Sequence, residues 1–359
     1  EFARLMDRLD ASGRYALIKL ATGGMRVGLS ARLARTGFAQ GFGVDLETLE
    51  ELWHGLAPPY PDLFAWAEGR APPPEVGSTA VFRPFMLAAP LEEGETLDLA
   101  HFLAEWKWDG IRVQAVRAGD MTRLYSRTGD DISAAFPEIT RNLTFEGALD
   151  VELLVRGDDG DPASFNALQQ RLNRKTVDAK LMRQHPAFVR LYDILMDGPE
   201  DVRPLPLVAR RERLTRAVEK LPHDFFDISP LVEAHDWQTL ADLRASARGH
   251  DIEGLMLKRC DSPYTAGRRV GLWYKWKRDP LTADCVLMYA QRGHGKRSSF
   301  YSDFTFGAWG PDGDLLPVGK AYFGFTDEEL KWLDRWVRGH TTNRFGPVRE
   351  VEKSLVLEV

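Results

Sequence analysis

With 359 residues the chain has room for two or three domains of roughly 100–200 residues each. Its hydrophobic fraction of 44% is ordinary for a globular protein, no apolar run approaches a membrane span, and two widely separated cysteines, Cys260 and Cys285, form neither a zinc pattern nor a disulfide framework, which fits a reducing interior such as the cytoplasm. The net charge of −6 argues against nucleic acid as a partner, but the segment from Lys258 to Arg297 holds ten basic and three acidic residues, and a mildly acidic protein can carry one basic face.

Residues 1–70 read as helical. Between Ala11 and Ala39 the apolar residues Leu17, Leu20, Ala21, Met25, Val27, Leu29 and Leu33 recur at spacings of three and four, broken at Gly23-Gly24. A further helix is predicted from Leu46 to Trp53, with Asp45 as its N-cap. The proline-rich runs Ala57-Pro58-Pro59-Tyr60-Pro61 and Ala71-Pro72-Pro73-Pro74 read as linker, which puts a first domain boundary near residue 78. From 79 to 280 strands and helices mix. Ile111–Arg117 alternates as a strand, turns at Ala118-Gly119-Asp120 and returns through Met121–Arg127. Ala148–Val155, Ala187–Leu195 and Leu255–Lys258 are further predicted strands, and Ser164–Leu172 and Leu207–Lys220 predicted helices. The absence of a βαβ rhythm points to an α+β domain with largely antiparallel sheets. Residues 281–359 are rich in short strands: Ala283–Tyr289, Ser299–Trp309, Leu315–Ala321 and a final Val348–Val359. One helix, Asp327–Arg338, is announced by the capping box Thr326 and Glu329. Several strands with one inserted helix suit a small β-barrel.

The chemistry begins at Glu105-Trp106-Lys107-Trp108-Asp109-Gly110-Ile111-Arg112. A lysine amine is a nucleophile only when its proton is removed or its charge disfavoured, so a base or a metal must stand near it. The flanking tryptophans could restrict water, and Gly110 allows close backbone approach to a ligand. Five further segments follow in order: Tyr125-Ser126-Arg127-Thr128-Gly129; Ala148-Leu149-Asp150-Val151-Glu152; Phe188-Val189-Arg190-Leu191-Tyr192-Asp193; Asp251-Ile252-Glu253-Gly254-Leu255-Met256-Leu257-Lys258; and Trp273-Tyr274-Lys275-Trp276-Lys277, preceded by Arg268-Arg269. Strand alternation puts Lys275 and Lys277 on one face, where both can reach one phosphate.

This ordered set resembles the lysine nucleotidyltransferase family of ATP-dependent ligases and mRNA capping enzymes. The resemblance implies that Lys107 takes up AMP as a phosphoramide. It implies that Glu105 contacts adenine, Tyr192 stacks on it, Arg112 and Glu152 lie near the ribose, and Arg127, Arg269, Lys275 and Lys277 meet the phosphates. Glu152 and Glu253 would hold Mg²⁺. Val151 stands where the family usually has glycine. Two flanking segments resemble DNA ligases in particular. Tyr15–Leu33 resembles their helical DNA-binding domain, with Lys19, Arg26 and Arg32, together with Arg127, as candidate DNA contacts; Phe165–Lys175 resembles a segment that capping enzymes lack. NAD-dependent ligases carry a four-cysteine zinc module, so ATP is the expected donor. The implied architecture is multidomain: 1–78 a helical DNA-binding part, 79–280 an α+β adenylation domain, 281–359 a β-barrel OB-fold. The expected enzyme is a monomeric, cytoplasmic, ATP- and Mg²⁺-dependent DNA ligase that seals nicked double-stranded DNA in repair or recombination, with an RNA ligase, a capping-type enzyme or a catalytically silent DNA-binding relative as the alternatives. The chain opens at Glu1 and closes in the strand-like run Ser354–Val359, so a piece of a longer protein is expected, with the family's last basic motif lying beyond it.

Overall fold

A computed structural model describes every residue except 1, 23–30, 57, 75–79, 93, 159, 173, 175, 176, 248–251, 280, 281 and 294–297, and the side chains of 31 and 32. The chain divides into two compact units, Glu1–Arg278 and Asp279–Val359.

The first unit opens with helices α1 (Phe2–Asp7), α2 (Ala11–Ala21), α3 (Ala31–Phe42), α4 (Leu46–Trp53) and α5 (Pro61–Ala67). Asp45 caps α4 by accepting from the Thr48 amide at 2.8 Å. Ala39, Leu49 and Leu63 from α3, α4 and α5 form a small core under Trp53 and Tyr60, whereas α2 buries nothing. Short strands β1 (Met86–Leu87) and β2 (Ala89–Pro90) precede β3 (Phe102–Trp108), β4 (Ile111–Ala118) and β5 (Met121–Ser126). Then come α6 (Pro137–Asn142), β6 (Gly147–Val155), α7 (Phe165–Gln169), α8 (Ala179–Gln184), β7 (Ala187–Asp197), β8 (Glu200–Asp201), α9 (Leu207–Val218), β9 (Phe226–Ile228), α10 (Trp237–Ser246), β10 (Ile252–Arg259), β11 (Gly267–Arg268) and β12 (Trp273–Lys277).

Among the described residues the strands build two sheets that matter here. One runs β5-β4-β6-β7-β8, antiparallel throughout, with β9 added parallel to β7. The other runs β2-β12-β10-β3, antiparallel except for the β2–β12 pair. The first sheet covers its outer face with α6, α7 and α9, through Ile139, Leu168, Leu214 and Val218 packed on Val113, Leu149, Val151 and Leu191. The second covers its outer face with Leu240 and Trp237 of α10 against Leu255, Leu257 and Tyr274. Between the inner faces, Met86, Val116, Ala148, Leu195, Tyr264 and Trp273 form a third cluster. The two-residue link Asp109-Gly110 carries the chain from β3 in one sheet to β4 in the other.

The second unit holds β13 (Asp284–Arg292), β14 (Tyr301–Trp309), β15 (Leu315–Ala321), α11 (Asp327–Gly339), β16 (Thr341–Phe345), β17 (Val348–Val351) and β18 (Val356–Glu358). The sheet order is β15-β14-β13-β17-β16, with β18 also on β13. The Thr326–Glu329 capping box starts α11, and its Leu330, Leu333 and Val337 pack on Phe304 and Phe306. The single final strand expected from Val348 to Val359 is instead two. β17 pairs with the Tyr289–Gln291 part of β13 and β18 with Asp284–Val286, so the chain bends between them to follow the longer strand.

Candidate active site

The second sheet builds one wall of a cavity of about 410 Å³. Register decides which side chains face it. Lys107 of β3 lies level with Gly254 of β10 and Lys277 of β12; Glu105 with Met256 and Lys275; Leu103 with Lys258 and Trp273. Residues level with one another in neighbouring strands share a face. Glu105, Lys107, Met256, Lys258, Trp273, Lys275 and Lys277 accordingly all line the cavity. Trp106 and Ala104 alternate to the far side and pack with the α10 cluster, and the Trp108 indole donates to Ser229 Oγ at 3.1 Å.

Glu253 would by alternation point away from Lys107. It does not, because β10 carries an extra residue there: Ile252 pairs with Trp108 while Gly254 pairs with Lys107. The bulge turns Glu253 inward. Its carboxylate accepts a hydrogen bond from Lys107 and lies 3.4 Å from Lys277 Nζ. Burial, the largest single influence, pushes this carboxyl up, but the hydrogen bond and charge of Lys107 and the charge of Lys277 leave it below the usual range. Gly254 has φ +146°, and a Cβ there would sit 2.2 Å from the Trp276 carbonyl oxygen. Only glycine lets β10 and β12 meet behind the bulge.

The opposite wall comes from the first sheet. Arg112 lies level with Glu152, and Gln114 with Asp150. Asp150 is fully buried and accepts two bonds from Arg112, at 3.0 and 2.7 Å, and one from the Tyr264 hydroxyl at 2.7 Å. The Arg112 guanidinium also lies 4.4 Å from the Phe85 ring centroid. Burial, the strongest influence on Arg112, opposes its charge, yet Asp150 and the phenols hold its pKa well above the ordinary value. Glu152 faces the cavity beside it. Burial pushes this carboxyl up to about 8 against the pull of Lys107 and Arg112. Tyr192 is the extra residue of a second bulge, since Val151 pairs with Leu191 and Asp150 with Asp193. Leu191 stays in the core, while Tyr192 lines the cavity with Lys258 Nζ 4.5 Å from its ring centroid.

Val151, in the place of the family's usual glycine, disturbs none of this. It points into the opposite core, fully buried. Gly110 serves a different closeness from the ligand approach expected of it: a Cβ would lie 2.6 Å from the Leu153 carbonyl oxygen and 2.8 Å from Glu152 Cγ, so the turn packs directly on β6.

The cavity thus gathers Lys107, Glu105, Arg112, Arg127, Glu152, Tyr192, Glu253, Lys275 and Lys277. Arg269 is the exception. Its guanidinium pairs with Glu47 of α4 at 2.9 Å, more than half exposed, and the neighbouring Arg268 lines the cavity instead. The reason is register: β11 pairs Arg268 with Leu87 of β1, itself a lining residue, and the next side chain along alternates outward. Of the candidate DNA contacts, Lys19 is partly buried on α2, its ammonium 5.4 Å from the Tyr15 ring centroid; Arg26 and the side chain of Arg32 lie outside the described residues. Lys258, Trp273 and Arg268 are lining residues to which sequence reasoning assigned no role. Their signal was present: 254, 256 and 258 alternate on β10, as 273, 275 and 277 do on β12. Crowding of cations is visible at Lys275, whose pKa is lowered first by burial and then by the charges of Arg268, Lys277, Lys107 and Arg127. Among the described residues no three His, Cys, Asp or Glu side chains converge as a ready-made metal site, and no helix is long and apolar enough to cross a membrane.

Comparison with known proteins agrees with this geometry. Residues 85–277 match the ATP dependent DNA ligase domain family. A protein of Koribacter versatilis named "Probable DNA ligase" is 33% identical over 392 aligned positions, covering 99% of this chain and 66% of that one. A DNA ligase of Natronomonas pharaonis is 34% identical, covering 99% and 65%. The chain therefore spans about two thirds of the length of these relatives. Among solved structures, a Lig E DNA ligase superposes with a TM-score of 0.54 at 20% identity, over 70% of this chain and 88% of that one, a likeness of fold. The matched stretch holds every residue of the cavity and more than half of the sequence, and the chain belongs to the ATP-dependent DNA ligase domain family.

Proposed function

We propose that this chain is the catalytic part of an ATP-dependent DNA ligase that seals nicks bearing a 3′-hydroxyl and a 5′-phosphate. One observation carries the reading: a single cavity has Lys107, Lys277 and Glu253 toward one end and Lys258, Trp273 and Tyr192 toward the other, with Lys275 and Glu105 level with each other between them. The first end suits a polyphosphate and the second a flat base with polar edges.

In the first step the Lys107 amine attacks the α-phosphorus of ATP. A nitrogen–phosphorus bond forms, the bond to the oxygen bridging to the β-phosphate breaks, and pyrophosphate leaves. The ammonium that Glu253 holds must lose its proton first. In the second step an oxygen of the DNA 5′-phosphate attacks the same phosphorus and frees the lysine. In the third the 3′-hydroxyl attacks the 5′-phosphorus and expels AMP. Lys275, Lys277 and Arg127 oppose the charge that develops on the phosphoryl oxygens, and positioning supplies most of the rest. Two cavity carboxylates, Glu152 and Glu253, suit Mg²⁺, which takes one or two carboxylates plus substrate phosphates; Mg²⁺ bound there would neutralise phosphate charge.

On this reading residues 1–78 form a helical DNA-binding part, with Lys19, Arg26 and Arg32 toward phosphates; 79–280 are the adenylation domain; and 281–359 are an OB-fold. The substrate is nicked double-stranded DNA, and the enzyme works as a monomer in the cytoplasm, where its two free cysteines stay reduced. The test is to incubate the protein with Mg²⁺ and α-labelled ATP and look for label on the denatured chain. Label should appear and vanish in Lys107→Ala. Label from NAD but not ATP would overturn the donor, and preferential sealing of nicked RNA would overturn the substrate.

A further inference from the structure

Helix α9 lies outside every motif on which the functional reading rests, yet two adjacent arginines on it reach the base end of the cavity from behind. Arg210 is fully buried. It holds both oxygens of Asp193, at 2.8 and 2.9 Å, and donates to the Ser262 carbonyl at 2.8 Å. It thereby anchors the residue next to Tyr192 and the loop that brings Tyr264 to Asp150. Arg211 reaches the other way. It donates to Glu105 Oε1 at 2.9 Å and to the Ser229 carbonyl oxygen.

Glu105 is the informative partner. Only 2% of its side chain is exposed, and that remainder faces the cavity. Its second oxygen accepts from Lys258 Nζ at 3.2 Å, and Lys258 is itself buried, with the Tyr192 and Trp273 ring centroids at 4.5 and 4.7 Å. A carboxylate held from both sides cannot rotate, and each oxygen keeps a lone pair for an outside donor. A buried charge with two cationic partners is tolerable only with geometry this complete. Resting on the reading of this cavity as a nucleotide site, we infer that Arg211 is a positioning residue for base choice. With Lys258 it holds the Glu105 carboxylate so that it accepts a hydrogen bond from the exocyclic 6-amino group of the purine. A lone Lys258 leaves the carboxylate free to swing about one oxygen, and a misdirected acceptor loses its selectivity while the phosphate end is untouched.

The test compares two nucleotides that differ only at that group, ATP and purine riboside 5′-triphosphate, in the attachment of the monophosphate to Lys107, read as the mass gain of the intact chain. Glu105→Gln supplies the reference preference without the carboxylate. Arg211→Met should lower the kcat/KM preference for ATP by about tenfold, toward that reference, because an unpaired or misaligned hydrogen-bonding group loses discrimination of this order or more. Attachment from purine riboside triphosphate should barely change. Arg211→Lys, which keeps one donor near Glu105, should recover part of the preference, and keeps the test open if the methionine variant does not fold. Equal losses for both nucleotides would mean that Arg211 merely supports the fold and would sink the inference. No attachment from ATP in the unaltered chain would instead remove the functional reading, and this inference with it.

Discussion

Single charged residues are the least legible parts of this sequence, because a charge is read by default as solvated. Here the site is framed by charges that are not. Asp150 with Arg112, Asp193 with Arg210, and Glu105 with Lys258 and Arg211 are pairs whose members lie far apart in the chain, so no local spacing announces them. His54 is a similar case. Its ring packs on Phe82 at 4.6 Å between centroids and on Gly129, where a Cβ would lie 2.3 Å from Cε1. Gly129 closes the turn that carries Arg127 toward the cavity. Burial pushes the imidazole down to about 4 from 6.5, Arg35 adds to the shift and Asp130 opposes it. The sign follows from linkage. Between these values the unfolded chain binds the proton and the folded one does not, so stability is greatest above pH 6.5 and falls as pH drops toward 4. A His54→Asn variant should show a shallower loss of denaturation midpoint from neutral pH to about 4.5. Parallel pH curves for the two proteins would show that the decline belongs to other groups.

At the scale of elements, alternation worked wherever a strand was regular. Lys275 and Lys277 do share a face, and so do Glu105 and Lys107 on the neighbouring strand. Alternation failed at one bulge, and it carries a residue of the site. Glu253 faces the cavity only because β10 holds one residue more than β3 at that point, whereas Tyr192 follows ordinary alternation from Arg190, which lies level with Glu152. A bulge is a property of a strand pair, so it is invisible in either strand alone. Gly254 makes the first bulge possible. Gly254→Ala should cost about 1–3 kcal/mol from backbone conformation alone, and more from the clash with the Trp276 carbonyl. It should also abolish label transfer to Lys107 by displacing Glu253. Denaturant melting together with the labelling assay checks this, and a variant of full stability and activity would show that the close approach is not needed. The final strand offers the converse lesson: its apolar pattern runs on unbroken from Val348, but the chain bends between β17 and β18 because each covers a different part of β13.

For the molecule as a whole, net charge was a poor guide and its distribution a better one. A total of −6 coexists with a cavity lined by Lys107, Arg112, Arg127, Lys258, Arg268, Lys275 and Lys277. If the reading as a nick-sealing enzyme holds, affinity for nicked duplex should fall linearly on a log–log plot against salt, with a slope of about −0.9 for each phosphate neutralised. Titration of a labelled nicked duplex at several salt concentrations measures it, and salt-insensitive binding would remove the phosphate contacts. The sequence by itself determined the kinds of element, the family and most, though not all, of the cavity's members, because strand alternation and motif order are local and survive without coordinates. Tertiary structure alone decided that Arg268 rather than Arg269 lines the cavity, that Glu253 turns inward, and that α9 holds Glu105. Each of these depends on register or contact between segments distant in the chain, and such pairings leave no periodicity in either partner.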